Sequence, residues 1–209
     1  MNAWGEAIWR GFAEAQPLDL INLILGVLGV GLMIRRSLWA FPVGLIAVSV
    51  QGVLFWQATF YADAKLQAFF FLSLVYGWWH WVKHKGTAPE LPVTTLRWPA
   101  RFAWLGGALA LTLGWGAWQA AHTDAVMPYR DTFIASFSIV AQVLQVRKRL
   151  ENWAGWVAVN LVAIASYWSA ELAFTAFLYL IFLVMGLLGW REWYRSMKAA
   201  PITEGRGDG

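Results

Sequence analysis

Trp153, Trp156 and Asn160 stand at i, i+3 and i+7. On a helix they fall within about 60° of one another, so two indoles and a carboxamide share one face. That stripe suits a flat aromatic ligand with a polar edge, and indole faces also attract cations. An interfacial aromatic belt running into ordinary helix packing would use the same residues. The elements around the stripe therefore decide its meaning. It follows the basic run Arg147-Lys148-Arg149 and opens about nineteen uncharged residues, Asn152 to Ala170. Such a run is long enough to cross a bilayer.

Other polar groups lie inside similarly apolar runs. Asp131, Ser138, Gln142 and Gln145 are spaced i, i+7, i+11 and i+14, one helical stripe. Tyr179 and Gln67 occupy equivalent places in two further runs, and Ser49, Gln51 and Asn22 lie in the first two. An amide in hydrocarbon is costly unless it is partnered or lines a wet cavity. Helix-to-helix hydrogen bonding would account for any one of them. A set recurring at matching places maps a site instead. The candidate binding residues are Trp153, Trp156, Asn160, Gln142, Tyr179, Gln67 and Gln51.

The chain is 59% hydrophobic, 13% charged and carries 16 Trp. Soluble domains are about one quarter charged. The pattern is that of a polytopic all-α membrane protein in contact with the lipid bilayer. Seven spans are expected near 18–34, 38–60, 63–82, 101–121, 131–147, 152–170 and 172–192. Residues 1–16 place Trp4, Ile8 and Phe12 on one face, a short amphipathic surface helix or tail. Glu6, Arg10 and Glu14 interrupt any signal-peptide core. Domain boundaries follow: a first three-helix bundle at 17–82, a Pro-containing loop at 83–97, a linker helix at 98–121, a second bundle at 131–195 and a disordered tail at 196–209. Lys and Arg concentrate in the odd loops and the tail, with Asp63, Asp124, Arg130, Asp131 and Glu171 on the other side, where cations are far fewer. The expected topology is N-terminus outside and C-terminus cytoplasmic.

An internal repeat joins the two bundles. Tyr76-Gly77-Trp78 with Trp81 matches Leu188-Gly189-Trp190 with Trp193 at an offset of 112, as Trp56 matches Trp168. Arg35 and Trp39 match Arg149 and Trp153 at an offset of 114, which implies a two-residue indel. A single helix between like-oriented halves gives a 3+1+3 parallel repeat, and carriers of that kind bind substrate between the halves.

Several chemistries are excluded. The chain has no Cys, so disulfides, thiolate metal sites and Cys nucleophiles are out. It has no phosphate-binding glycine loop. Its three His lie at or beyond span ends, so no metal or cofactor is expected. The basic loops flank membrane and do not point to nucleic acid. No acidic residue sits mid-span to relay a proton or sodium. A binding pocket without an energy-coupling group, and no enzyme, is what remains; the alternative is a non-transporting membrane scaffold whose spans and Trp belts are purely structural.

Glu151-Asn152-Trp153 with Trp156, Ser138-Ile139-Val140-Ala141-Gln142 and Asp131-Thr132 resemble the PnuC family of vitamin transporters. So do Leu45-Ile46, Phe60-Tyr61-Ala62-Asp63-Ala64 with Leu66-Gln67, Tyr76-Gly77-Trp78 and Tyr179, the likeness covering about residues 18–195. It implies a seven-span fold, SWEET-like but full-length, and a homotrimer. It implies uptake of nicotinamide riboside by facilitated diffusion across the bacterial inner membrane, with cytoplasmic phosphorylation trapping the cargo. Trp153 and Trp156 would contact the ligand. Some members carry Asn where this chain has Ala47. Relatives carry thiamine, riboflavin or deoxynucleosides, whose flat rings an indole cage also fits.

Overall fold

The structure is a computed structural model that describes residues 3–57, 59 and 61–199. Of the expected disordered tail, 196–209, residues 200–209 lie outside the described residues. Eight helices follow one another: α1 (Ala3–Glu14), α2 (Pro17–Ile34), α3 (Ala40–Gln57), α4 (Tyr61–His84), α5 (Trp98–His122), α6 (Pro128–Val146), α7 (Asn152–Ser169) and α8 (Ala173–Ala199). Proline opens α2, α5 and α6 within the first two positions, where its missing N–H costs nothing. Three helices, α2, α3 and α8, are long and apolar enough to cross a membrane by length and composition alone.

The repeat is carried in the backbone at one constant offset. Ile34 and Val146, Ala40 and Asn152, Gln57 and Ser169, and Tyr61 and Ala173 are helix ends lying 112 residues apart. Arg36 and Lys148 both close their helices with positive φ, 57° and 54°, as Thr59 and Glu171 do at 63° and 59°. Ser37 N–H donates to Leu32 O at 3.0 Å, and Arg149 N–H to Leu144 O at 2.9 Å, the same C-terminal cap twice. The expected two-residue indel is therefore absent. Trp153 is the counterpart of Phe41 and not of Trp39. The offset of 114 came from aligning Trp with Trp, whereas the fold keeps a buried ring of either kind.

The halves cross-pack by the same rule. α2 packs against α8, and its counterpart α6 packs against α4. α5 packs on α6 through buried Ala108, Thr112 and Gly116, one small-residue stripe. Thr132 Oγ1 donates to Thr112 O across that seam at 3.1 Å.

The core gathers at the end of the bundle that carries the basic loops. Phe41, Trp81, Trp153 and Trp193 are at most 2% exposed there. Phe41 meets Trp81 edge-on at 5.0 Å, and Trp153 meets Trp193 edge-on at 5.4 Å. Their indoles cross between halves: Trp81 Nε1 donates to Val146 O at 2.9 Å and Trp193 Nε1 to Met33 O at 3.0 Å. Gly77 and Gly189 make room for the rings. A Cβ on Gly189 would lie 2.4 Å from Trp153, and one on Gly77 would lie 2.8 Å from Phe41.

Two boundaries differ from expectation. α8 continues through 196–199, the start of the expected tail, because Met197 packs on this core. α1 does not lie free. Trp4 stacks on Trp168 at 4.1 Å, and Phe12 meets Phe174 edge-on at 4.8 Å. The apolar face of α1 thus packs in part on the ends of α7 and α8, with Trp4 still 37% exposed.

Candidate substrate cavity

A cavity of about 740 Å³ lies between the two halves. Met33, Ala40 and Trp153, each at most 3% exposed, line its basic end. Asp63 and Asp131, both exposed, line its opposite, acidic end. The cavity is therefore walled off at one end and reaches the surface at the other.

Of the seven residues singled out from the sequence, Trp153, Trp156, Asn160, Gln142, Tyr179 and Gln67 line this cavity. Gln51 is not among the lining residues. Its amide oxygen accepts from Asn22 Nδ2, joining α3 to α2. An amide in an apolar run must find a partner, and in this structure Gln51 finds one in a neighbouring helix.

The α7 stripe enters the cavity as its spacing required. Trp156 Nε1 donates to Gln145 Oε1 at 2.7 Å, so the α6 amide fixes the plane of the indole. Trp153 plays a different part: its ring is 2% exposed, lies against Gly189 and meets Trp193. It forms the floor of the cavity. Its Nε1 and the Nε2 of Gln142 are buried with no hydrogen-bond partner among the described residues. A buried donor left unmatched costs about 1–3 kcal/mol. Gln119 Oε1, on another lining residue, is likewise buried and unmatched, so with Gln142 Nε2 the lining offers a ligand both a donor and an acceptor. Asn160, 6% exposed, adds a third amide.

The wall facing the acidic end is aromatic. Tyr167 and Tyr179 stack at 5.3 Å and 18°, and both line the cavity. Tyr167 was missed, yet it continues the helical stripe of Trp153, Trp156 and Asn160 at i+14 from Trp153. Trp115 and Gln119 of α5 also line the cavity. A helix expected only to join the halves therefore contributes to the site. The first half offers mostly apolar lining: Gly44, Val48 and Val30 stand where the second half has Trp156, Asn160 and Gln142.

Residues 16–195 match the family model described as nicotinamide mononucleotide transporter. The chain is 27% identical over 216 residues to the nicotinamide riboside transporter PnuC of Escherichia coli, covering 91% of this chain and 90% of that protein. It is 31% identical over 196 residues to the riboflavin/roseoflavin transporter RibM of Streptomyces davaonensis, covering 90% of each. A crystal structure of the vitamin B3 transporter PnuC shares the fold, with a TM-score of 0.74 at 21% identity over 93% of this chain and 88% of that one. The chain belongs to the nicotinamide mononucleotide transporter family and is a transporter, not an enzyme.

Proposed function

We propose that this protein carries nicotinamide riboside across the bacterial inner membrane by facilitated diffusion, with cytoplasmic phosphorylation trapping the cargo. The observation that carries the reading is the cavity between the halves. Trp156, held by Gln145, and the Tyr167–Tyr179 pair give it flat aromatic surfaces. The unmatched Gln142 Nε2 donor and Gln119 Oε1 acceptor suit a carboxamide or a ribose hydroxyl, each of which can accept and donate. Asp63 at the open end favours a cationic ring over a neutral one, while Asp131 there is paired with Arg130 at 2.8 Å. A potential negative inside draws such a cation inward by about 2.3 kcal/mol per 100 mV, with no coupled ion needed.

In this reading α2 to α8 are seven spans in a 3+1+3 parallel repeat of SWEET-like architecture, supported by the constant 112-residue offset of the helix ends. The basic end faces the cytoplasm and the N-terminus lies outside, supported by Arg36, Lys85, Lys148 and Arg149 clustering at that end. The homotrimer belongs to the same proposal. Among the described residues α5 packs chiefly on α6 and turns Trp98, Phe102 and Leu113 outward, leaving a face for lipid or a second copy.

Riboflavin is the second reading, favoured by the 31% identity to a riboflavin/roseoflavin transporter. Titration of the purified protein with nicotinamide riboside, riboflavin and thiamine separates them. Uptake of nicotinamide riboside into proteoliposomes should proceed without a sodium or proton gradient. A strict need for either gradient would overturn uniport, and tighter binding of riboflavin would overturn the cargo.

A further inference from the structure

We infer that Glu90 is a latch that holds the basic end of the cavity shut, and that passage through this end requires its release from Lys148 and Arg36. The inference rests on the carrier reading above. Arg36 and Lys148 are equivalent residues of the two halves, each at the positive-φ cap of its helix. The Glu90 carboxylate, on the loop between the halves, accepts from Arg36 Nε at 3.1 and 3.2 Å and from Lys148 Nζ at 3.0 Å. One anion thus ties together the matching cations of both halves.

The rest of the loop belongs to the second half. Thr94 N–H donates to Lys148 O at 3.2 Å and Leu150 N–H to Thr94 O at 2.9 Å. Leu96 N–H and Arg101 both donate to Glu151 at 2.9 Å. Among the described residues, the ion pairs joining the first half to this assembly are those of Arg36, with Glu90 and with Glu192 at 3.4 Å. The indoles of Trp81 and Trp193 cross between the halves at this end, and Trp193 packs edge-on against Trp153 of the cavity floor.

Lys148 makes this a latch and not a decoration. Its side chain is 0% exposed, and its ammonium sits 4.2 Å over the ring of Trp81. Glu90 is the carboxylate that compensates this buried charge. A buried ion whose partner is removed is strongly disfavoured, whereas removing both charges can be nearly neutral. Parting the halves would uncover the ammonium to water, so the carboxylate is needed chiefly while the end is closed. Its loss shifts the population toward the open state.

The chain has no Cys, so Ala47→Cys, in the cavity lining, gives a single reporter. Proteoliposomes of known orientation are treated with a membrane-impermeant maleimide from one side at a time, without ligand. The parent reporter should react faster from the acidic side. Glu90→Gln should raise the rate from the basic side by at least about fivefold. Adding Lys148→Met to Glu90→Gln should bring it back within about twofold of the parent. Arg36→Gln, which keeps the Lys148 pair, should give a smaller rise and decides the matter should Glu90→Gln not fold. Parent-like labelling in Glu90→Gln, or in Arg36→Gln where only that variant folds, would overturn the latch; so would a double variant as reactive as the single. Unchanged labelling with intact uptake strikes the latch alone, while changed labelling with no uptake of any vitamin strikes the carrier reading.

Discussion

The hydrogen bond from Trp156 Nε1 to Gln145 Oε1, 2.7 Å long, gives the most direct test of the cavity. Both residues line it, so either could touch ligand, and a single substitution would not separate positioning from contact. A double-mutant cycle does. Trp156→Phe keeps an aromatic face but removes the donor. Gln145→Met keeps the bulk but removes the acceptor. A partly buried neutral hydrogen bond is worth about 0.5–1.5 kcal/mol net. If its role is to hold the indole plane for stacking, the coupling in ligand affinity should be about 1 kcal/mol, or roughly fivefold. Trp156→Phe should therefore weaken binding clearly in the parent and much less in Gln145→Met. Trp156→Ala adds loss of the stacking platform, about 1–3 kcal/mol more. Isothermal titration of the detergent-solubilised variants with nicotinamide riboside reads all four corners. Additivity within about 0.3 kcal/mol would refute the positioning role, and unchanged affinity in Trp156→Ala would remove this residue from the site.

Gly189→Ala should lower Tm through about 1–3 kcal/mol of overpacking, because its Cβ meets the Trp153 ring at 2.4 Å and Trp193 blocks retreat. Trp153→Phe in the same chain should restore Tm, as read by differential scanning fluorimetry. Gln51→Leu should cost about 1–2 kcal/mol of stability by orphaning Asn22, yet leave ligand affinity unchanged, since Gln51 does not line the cavity. Burial alone would raise the Glu90 carboxyl, but hydrogen bonds and charge from Lys148 and Arg36 outweigh it and hold the group below its ordinary value of 4.5. A depressed folded value means the contribution is complete above about pH 4.5 and is lost as pH falls through that lower folded value. Melting curves against pH should therefore show an acid loss of stability that shrinks in Glu90→Gln.

Much of the fold was legible because membrane helices announce themselves by runs of apolar residues, and the cavity because amides rarely sit in such runs without cause. Three things were not legible. The partner of an intramembrane amide is a tertiary fact: the periodicity of Gln51 differs in no way from that of Gln142, yet one meets Asn22 and the other the cavity. The role of Trp153 was hidden by its motif, which speaks of aromatic type and not of burial. The docking of α1 depends on Trp168 and Phe174, more than 150 residues away in sequence. Tyr167, by contrast, was within reach of the same helical arithmetic that found Asn160.

The repeat explains why structure and site obey different rules. Positions that close the basic end keep their character between halves: Phe41 with Trp153, Gly77 with Gly189, Trp81 with Trp193, Arg36 with Lys148. Positions that face the cavity do not: Gly44 against Trp156, Val48 against Asn160, Val30 against Gln142, Gln67 against Tyr179. On the carrier reading proposed above, two halves that part and rejoin would need matching contacts where they meet. A ligand with one flat face and one polar edge has no such symmetry, and a symmetric lining would offer it the same group twice. On the carrier reading proposed above, duplication would supply the two like halves, and divergence along the cavity wall would supply the recognition. A substitution that makes the first half more like the second at Val48, such as Val48→Asn, should on this logic alter which ring is held before it alters how the halves pack.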